Sequence, residues 1–76
     1  MEIQTRNLSQ NDRRALKRWI DRSEERFAST TGYYLSYARG GVIQLTPGDA
    51  QPNPHAVARG AMLAIGRTFD YEVVGA

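Results

Sequence analysis

Residues 33–45 read YYLSYARGGVIQL. Two runs that alternate in polarity flank a Gly-Gly pair, and how they pair decides the fold. A one-residue slip in register moves a strand's whole apolar set to the other face. With a two-residue turn, Ala38 meets Gly41 and Leu35 falls opposite Gln44, so the apolar faces disagree. With a three-residue Arg39-Gly40-Gly41 loop, Ala38 meets Val42, Tyr37 meets Ile43 and Leu35 meets Leu45. This second register gathers five large side chains on one face. Three-residue hairpins need a residue in the left-handed region, which Gly supplies at little cost. Two glycine N–H groups can also form an anion nest. Turn geometry explains the pair without one.

The segment before the hairpin reads as a helix. Ser9 is an N-cap, with Asp12 three residues on as its capping-box partner. Leu16, Trp19, Ile20, Ser23 and Phe27 fall within one arc at helical spacing. Arg14, Arg18, Asp21, Arg22 and Glu25 fall on the opposite arc. Trp19 therefore belongs to the core. Gly32 closes the segment as a post-helix residue. Upstream, MEIQTR alternates Met1, Ile3 and Thr5 against Glu2, Gln4 and Arg6, a short period-2 strand.

After the hairpin, TPGDAQPNP is a loop, with Pro47-Gly48 fitting the centre of a type II turn. Asn53 caps a second helix and Pro54 occupies its first position. Val57, Ala58, Ala61, Met62, Ile65 and Phe69 make its apolar arc. Ala56, Gly60 and Ala64 are small and permit close approach to a neighbour. DYEVVGA closes as a strand. The fold class is α+β: a small antiparallel sheet with two helices on one face, in the order β-α-β-β-α-β. If residues 1–6 do not pair, the order is α-β-β-α-β on three strands. The first order resembles the ferredoxin-like superfold, which hosts too many functions to imply one.

Seventy-six residues make a single domain, 1–76, with a thin core. There is no cysteine, which excludes disulfides and thiolate chemistry and suits a cytoplasmic protein. No apolar run reaches the ~20 residues that span a membrane, so no membrane association is expected. The opening residues have no basic region followed by an apolar core, which predicts no secretory signal. The net charge is +2, ordinary for a small soluble domain. Its distribution is not even. Nine of the ten basic residues are Arg, Lys17 is the only Lys, and six of the ten lie between Arg13 and Arg26.

Enzyme chemistry finds little to work with. His55 is the only histidine, at the second position of a helix, where the charged form is disfavoured. No Ser, Thr or Asp joins it in a paired nucleophile motif. A zinc site would need Asp49, Asp70 or Glu72 to converge on His55, and no spacing suggests that. No phosphate-binding or dinucleotide glycine pattern is present. The expectation is a non-enzyme with no cofactor and no metal.

Three binding readings remain. The first is a protein partner. The sheet's open face should carry Tyr34, Ser36, Ala38, Val42, Gln44 and Thr46. Leu63 falls on the polar side of helix 2 with His55, Arg59 and Arg67, and Arg is enriched at interfaces. The interface candidates are Tyr34, Val42, Gln44, Leu63, Arg59 and Arg67. An inhibitor, adaptor or subunit fits this reading, a phage-type inhibitor of a host complex among them. A homodimer, through the sheet or around Leu63, is a third option. The alternative is nucleic acid. Arg14, Arg18 and Arg22 form an i, i+4, i+8 row beside Lys17, and Arg39 sits at the hairpin tip. Against it, Arg18–Asp21 and Arg22–Glu25 pairs would neutralise the row. Strands one and three also lack the aromatics that stack bases in the RNA-recognition version of this order.

Overall fold

The computed structural model describes residues 1–22, 32–48 and 53–75. Strand β1 (Glu2–Arg6) leads to helix α1 (Gln10–Arg22). The hairpin β2 (Tyr33–Ala38) and β3 (Val42–Pro47) follows, joined by a short turn at Arg39–Gly41. Helix α2 (Pro54–Ile65) and strand β4 (Asp70–Val74) complete the order β-α-β-β-α-β. The four strands form one antiparallel sheet in the order β2-β3-β1-β4. Residues 2–4 pair with β3 and residues 2–6 with β4, so the four-stranded alternative holds. The protein is a small α+β domain.

The hairpin takes the three-residue register. Ala38 pairs with Val42, Tyr37 with Ile43 and Leu35 with Leu45. Gly40 and Gly41 have φ of 73° and 80°, a left-handed conformation that favours glycine. The Thr5 hydroxyl donates to the Gly41 carbonyl at 2.7 Å, and the Gly41 N–H donates to the Tyr37 hydroxyl at 3.2 Å. One of the two glycine donors is therefore spent inside the protein, and Gly41 itself is buried. The loop is a hairpin turn tied to β1, not a paired nest of free donors.

The core lies between one sheet face and the two helices. Ile3, Leu16, Ile20, Ile43 and Val57 are fully buried there, with Tyr33, Leu35 and Leu45 beside them. Trp19 and Tyr37 pack against this cluster, half-buried. Ser9 and Asp12 form the reciprocal capping box: the Ser9 N–H donates to Asp12 Oδ2 at 3.3 Å, and the Asp12 N–H donates to Ser9 Oγ at 3.1 Å. Asn53 caps α2, accepting from the Ala56 N–H at 3.3 Å. Ser23 and Phe27, read as core positions, lie outside the described residues.

Two local readings are corrected. Pro47-Gly48 is not a turn: Pro47 is the last residue of β3 and pairs with Tyr33. Leu45 N–H donates to Met1 O at 2.9 Å, toward β1, and Gly48 N–H donates to Gly32 O at 2.7 Å, toward β2. Alternation thus points the missing Pro47 donor to the β1 side, past the start of that strand, where it costs no ladder bond. Phe69 is not on a helix. α2 stops at Ile65 because Gly66 turns left-handed, with φ 77°, and its N–H closes on Met62 O at 2.9 Å. Phe69 is nevertheless buried, from the connection into β4. Leu8 joins the core as well, ahead of the Ser9 cap and next to Asn7, whose φ of 60° turns the chain from β1 into α1.

Candidate functional site

The outward side of α1 is arginine. Leu16 and Ile20 are buried, so helical phase throws Arg14 and Arg18 outward, both exposed. Arg22 is exposed on the flank nearer α2, while Arg13 and Lys17 turn toward the hairpin. A Cβ placed on Gly41 would stand 3.9 Å from Arg13 Nε, which puts that guanidinium beside the hairpin tip and its exposed Arg39.

Of the two acids expected to neutralise this row, Asp21 is engaged elsewhere. Asp21 accepts from Lys17 at 3.1 Å, not from Arg18. The i, i+4 spacing of Lys17 and Asp21 brings their heads together on the hairpin flank. Asp12 Oδ2 holds Arg67 at 2.8 Å, and Glu72 holds Arg6 at 2.9 Å across the sheet. Among the described residues, Arg14, Arg18, Arg22, Arg39 and Arg59 make no ion pair. Glu25, expected opposite Arg22, lies outside those residues. Asp12 keeps its proton less readily than an ordinary aspartate. The Ser9 backbone N–H is the main cause, with the Ser9 hydroxyl and the Arg67 charge adding to it and partial desolvation opposing them.

Between the helices lies an open cleft of about 360 Å³, lined by Ala15, Arg18, Trp19, Arg22 and Ala64. Its origin is the run of small residues on α2. Gly60 receives the edge of the Trp19 ring, and a Cβ there would stand 2.9 Å from Trp19 Cζ2. Ala15 and Ala64 leave the space above that contact unfilled. Leu63, next to Ala64, is 85% exposed, the most exposed large apolar side chain in the described protein.

The predicted interface residues do not form one surface. Tyr34, Val42 and Gln44 lie on the sheet face turned away from the helices; Tyr34 is 45% exposed and Val42 half-buried. Gln44 borders a second open notch of about 320 Å³ with Glu2, Thr46 and Val74. Leu63 and Arg59 lie on the opposite side of the molecule, on the outside of α2. Arg67 is spent on Asp12, linking the end of α2 to the start of α1. Tyr34 is the one aromatic side chain on the open sheet face among the described residues, since Tyr33, Tyr37 and Tyr71 alternate to the helix side. His55 is exposed and shares a hydrogen bond with the Tyr71 hydroxyl at 2.7 Å. Sequence reasoning missed the cleft because Trp19 was assigned wholly to the core. The signal lay in its phase: at the border of the apolar arc, facing the small residues of α2.

No helix among the described residues is long and apolar enough to cross a membrane. No protein-family model matches this chain, and neither the curated proteins nor the solved structures searched contain a match. The fold defines a small α+β domain, and its function has to be argued from its surfaces.

Proposed function

We propose that this chain is a small, non-enzymatic, cytoplasmic binding module that works by engaging a protein partner, as an inhibitor, adaptor or subunit. The observation that carries this reading is the helical face. It combines an open apolar cleft at Trp19 and Ala64, a fully presented Leu63, and Arg18 and Arg22 without an ion pair among the described residues. Apolar surface next to arginine is the composition of interface cores. The open sheet face supports the reading less, because most of its side chains are polar.

Affinity capture from the native lysate, with and without nuclease, tests it. Capture should survive nuclease and should be lost in Arg18→Glu or Leu63→Glu, with the thermal melt of each variant unchanged. Loss in Tyr34→Ala alone would move the interface to the sheet. Disappearance under nuclease would overturn the protein reading.

The second reading, a nucleic-acid module using Arg14, Lys17, Arg18, Arg22 and Arg39, is favoured by one observation. Of the two acids expected to neutralise the row, Asp21 and Glu25, Asp21 is engaged by Lys17, and among the described residues the arginines of the row make no ion pair. It predicts a mobility shift that weakens steeply with salt and further in Arg18→Glu. The absence of a shift with single- and double-stranded DNA and RNA at low salt would remove it.

A further inference from the structure

We propose that the cleft between α1 and α2 takes an acidic amphipathic segment of the partner protein. One apolar side chain enters against Ala15, Trp19 and Ala64, and flanking carboxylates pair with Arg18 and Arg22. This inference rests on the protein-partner reading.

The cleft sets the apolar requirement. Its apolar lining is the two alanine methyls and Trp19, whose ring edge is seated on Gly60. At about 360 Å³ and open to solvent, it is at the small end of ligand pockets, the size for one side chain and not for a folded element. Alanine methyls offer no stacking surface, and a single indole serves one ring at most, whereas a nucleic-acid strand needs successive platforms. An aliphatic or aromatic side chain of a polypeptide fits this lining better than a base does.

The charges set the rest. Arg18 and Arg22 are one helical turn apart, a rise of ~6 Å along α1. Carboxylates one turn apart on a partner helix, or two residues apart on an extended segment at ~7 Å, match that interval. Guanidinium binds carboxylate bidentately, so spacing and planarity are both read. Among the described residues, intramolecular competition is weak. Asp12 is held by Arg67 and Asp21 by Lys17. A basic segment would meet Arg14, Arg18 and Arg22 together and be repelled.

Trp19 is the chain's single tryptophan, so its emission reports on the cleft. The full chain is titrated with three peptides of equal length that lack Trp and Tyr. The first is a Leu/Glu amphipathic helix, the second has Lys for Glu, and the third has Ser for Leu. An oligo-dT strand is the fourth ligand. The first peptide should give a saturable change in Trp19 emission, weakening at least tenfold between low and moderate salt. Arg18→Glu combined with Arg22→Glu should weaken it tenfold or more. Ser36→Glu, the same charge added on the opposite sheet face, should leave it unchanged.

No saturable change, an equal response to the Lys or the Ser peptide, or a response to oligo-dT alone overturns the proposal. If the peptides fail while nuclease-resistant capture persists, the occupant is wrong and the protein-binding reading stands. If capture itself is lost with nuclease, both fall.

Discussion

The Trp19 ring is seated on Gly60, with room for a hydrogen there and for nothing larger. Gly60→Ala sets two effects against each other. Replacing glycine inside a helix contributes roughly 1 kcal/mol of stability. Forcing a methyl to 2.9 Å from Cζ2 costs ~1–3 kcal/mol by overpacking. The collision wins because a half-buried indole has little freedom to retreat, so chemical denaturation should show a net loss of about 1 kcal/mol. Trp19→Phe removes the colliding atoms, and the double variant should lose less than the sum of the two singles.

The hairpin glycines differ in a testable way. Gly40→Ala meets open space and suffers only the left-handed penalty, about 1 kcal/mol. Gly41→Ala adds a collision with the Thr5 hydroxyl and should cost about 3 kcal/mol. Thr5→Val leaves the Gly41 carbonyl without its donor and should cost ~1–3 kcal/mol. Urea midpoints for the three variants check the order; equal losses for Gly40→Ala and Gly41→Ala would contradict it.

Asp12 predicts an acid limb. Its folded-state pKa lies below the ordinary value, chiefly through the Ser9 N–H. A depressed carboxylate contributes stability that is fully present above the unfolded pKa, roughly 4, and is lost as pH falls through the folded value. Melting temperature should therefore decline below about pH 4, and Asp12→Asn should flatten that decline while leaving a lower plateau at neutral pH. Melts across the acid range decide the matter: an unchanged limb in Asp12→Asn assigns the effect to other carboxylates.

Leu63 should matter little to folding. A side chain 85% exposed loses almost no buried area when cut back, so Leu63→Ser should stay within ~0.5 kcal/mol of wild type. Leu16→Ala, at a fully buried position, should cost ~2–5 kcal/mol. Parallel denaturation curves test the contrast, and a large loss in Leu63→Ser would mean that its exposure is taken up in a self-association, visible by light scattering.

The hairpin register was legible in the residues because parity is binary and the glycines fix the loop length. Both helix starts were legible for a similar reason: Ser9 with Asp12, and Asn53 with Pro54, satisfy end groups by local chemistry. Pro47-Gly48 misled because a proline looks like a turn unless the neighbouring strand is known to have ended. Phe69 misled because helical period runs through Gly66 on paper, while the backbone there turns left-handed. The arginine row could be read from spacing alone. The partner of Asp21 could not, because i, i+3 and i, i+4 neighbours compete and side-chain geometry chooses. The cleft needed both helices in place, and no local pattern announces a gap between two of them.

Strand β1 lies between β3 and β4, and Glu2 pairs with both Gln44 and Val74. Every ladder bond of this central strand is therefore made to residues far along the chain. During synthesis β1 emerges first, yet its first neighbour arrives only with the hairpin and its second only with residues 70–74. Loop closure over such separations slows folding compared with local contacts. The strand that organises the sheet is thus the one that waits longest for its partners, and a nascent chain halted before β4 would carry an unpaired edge in the middle of its future sheet.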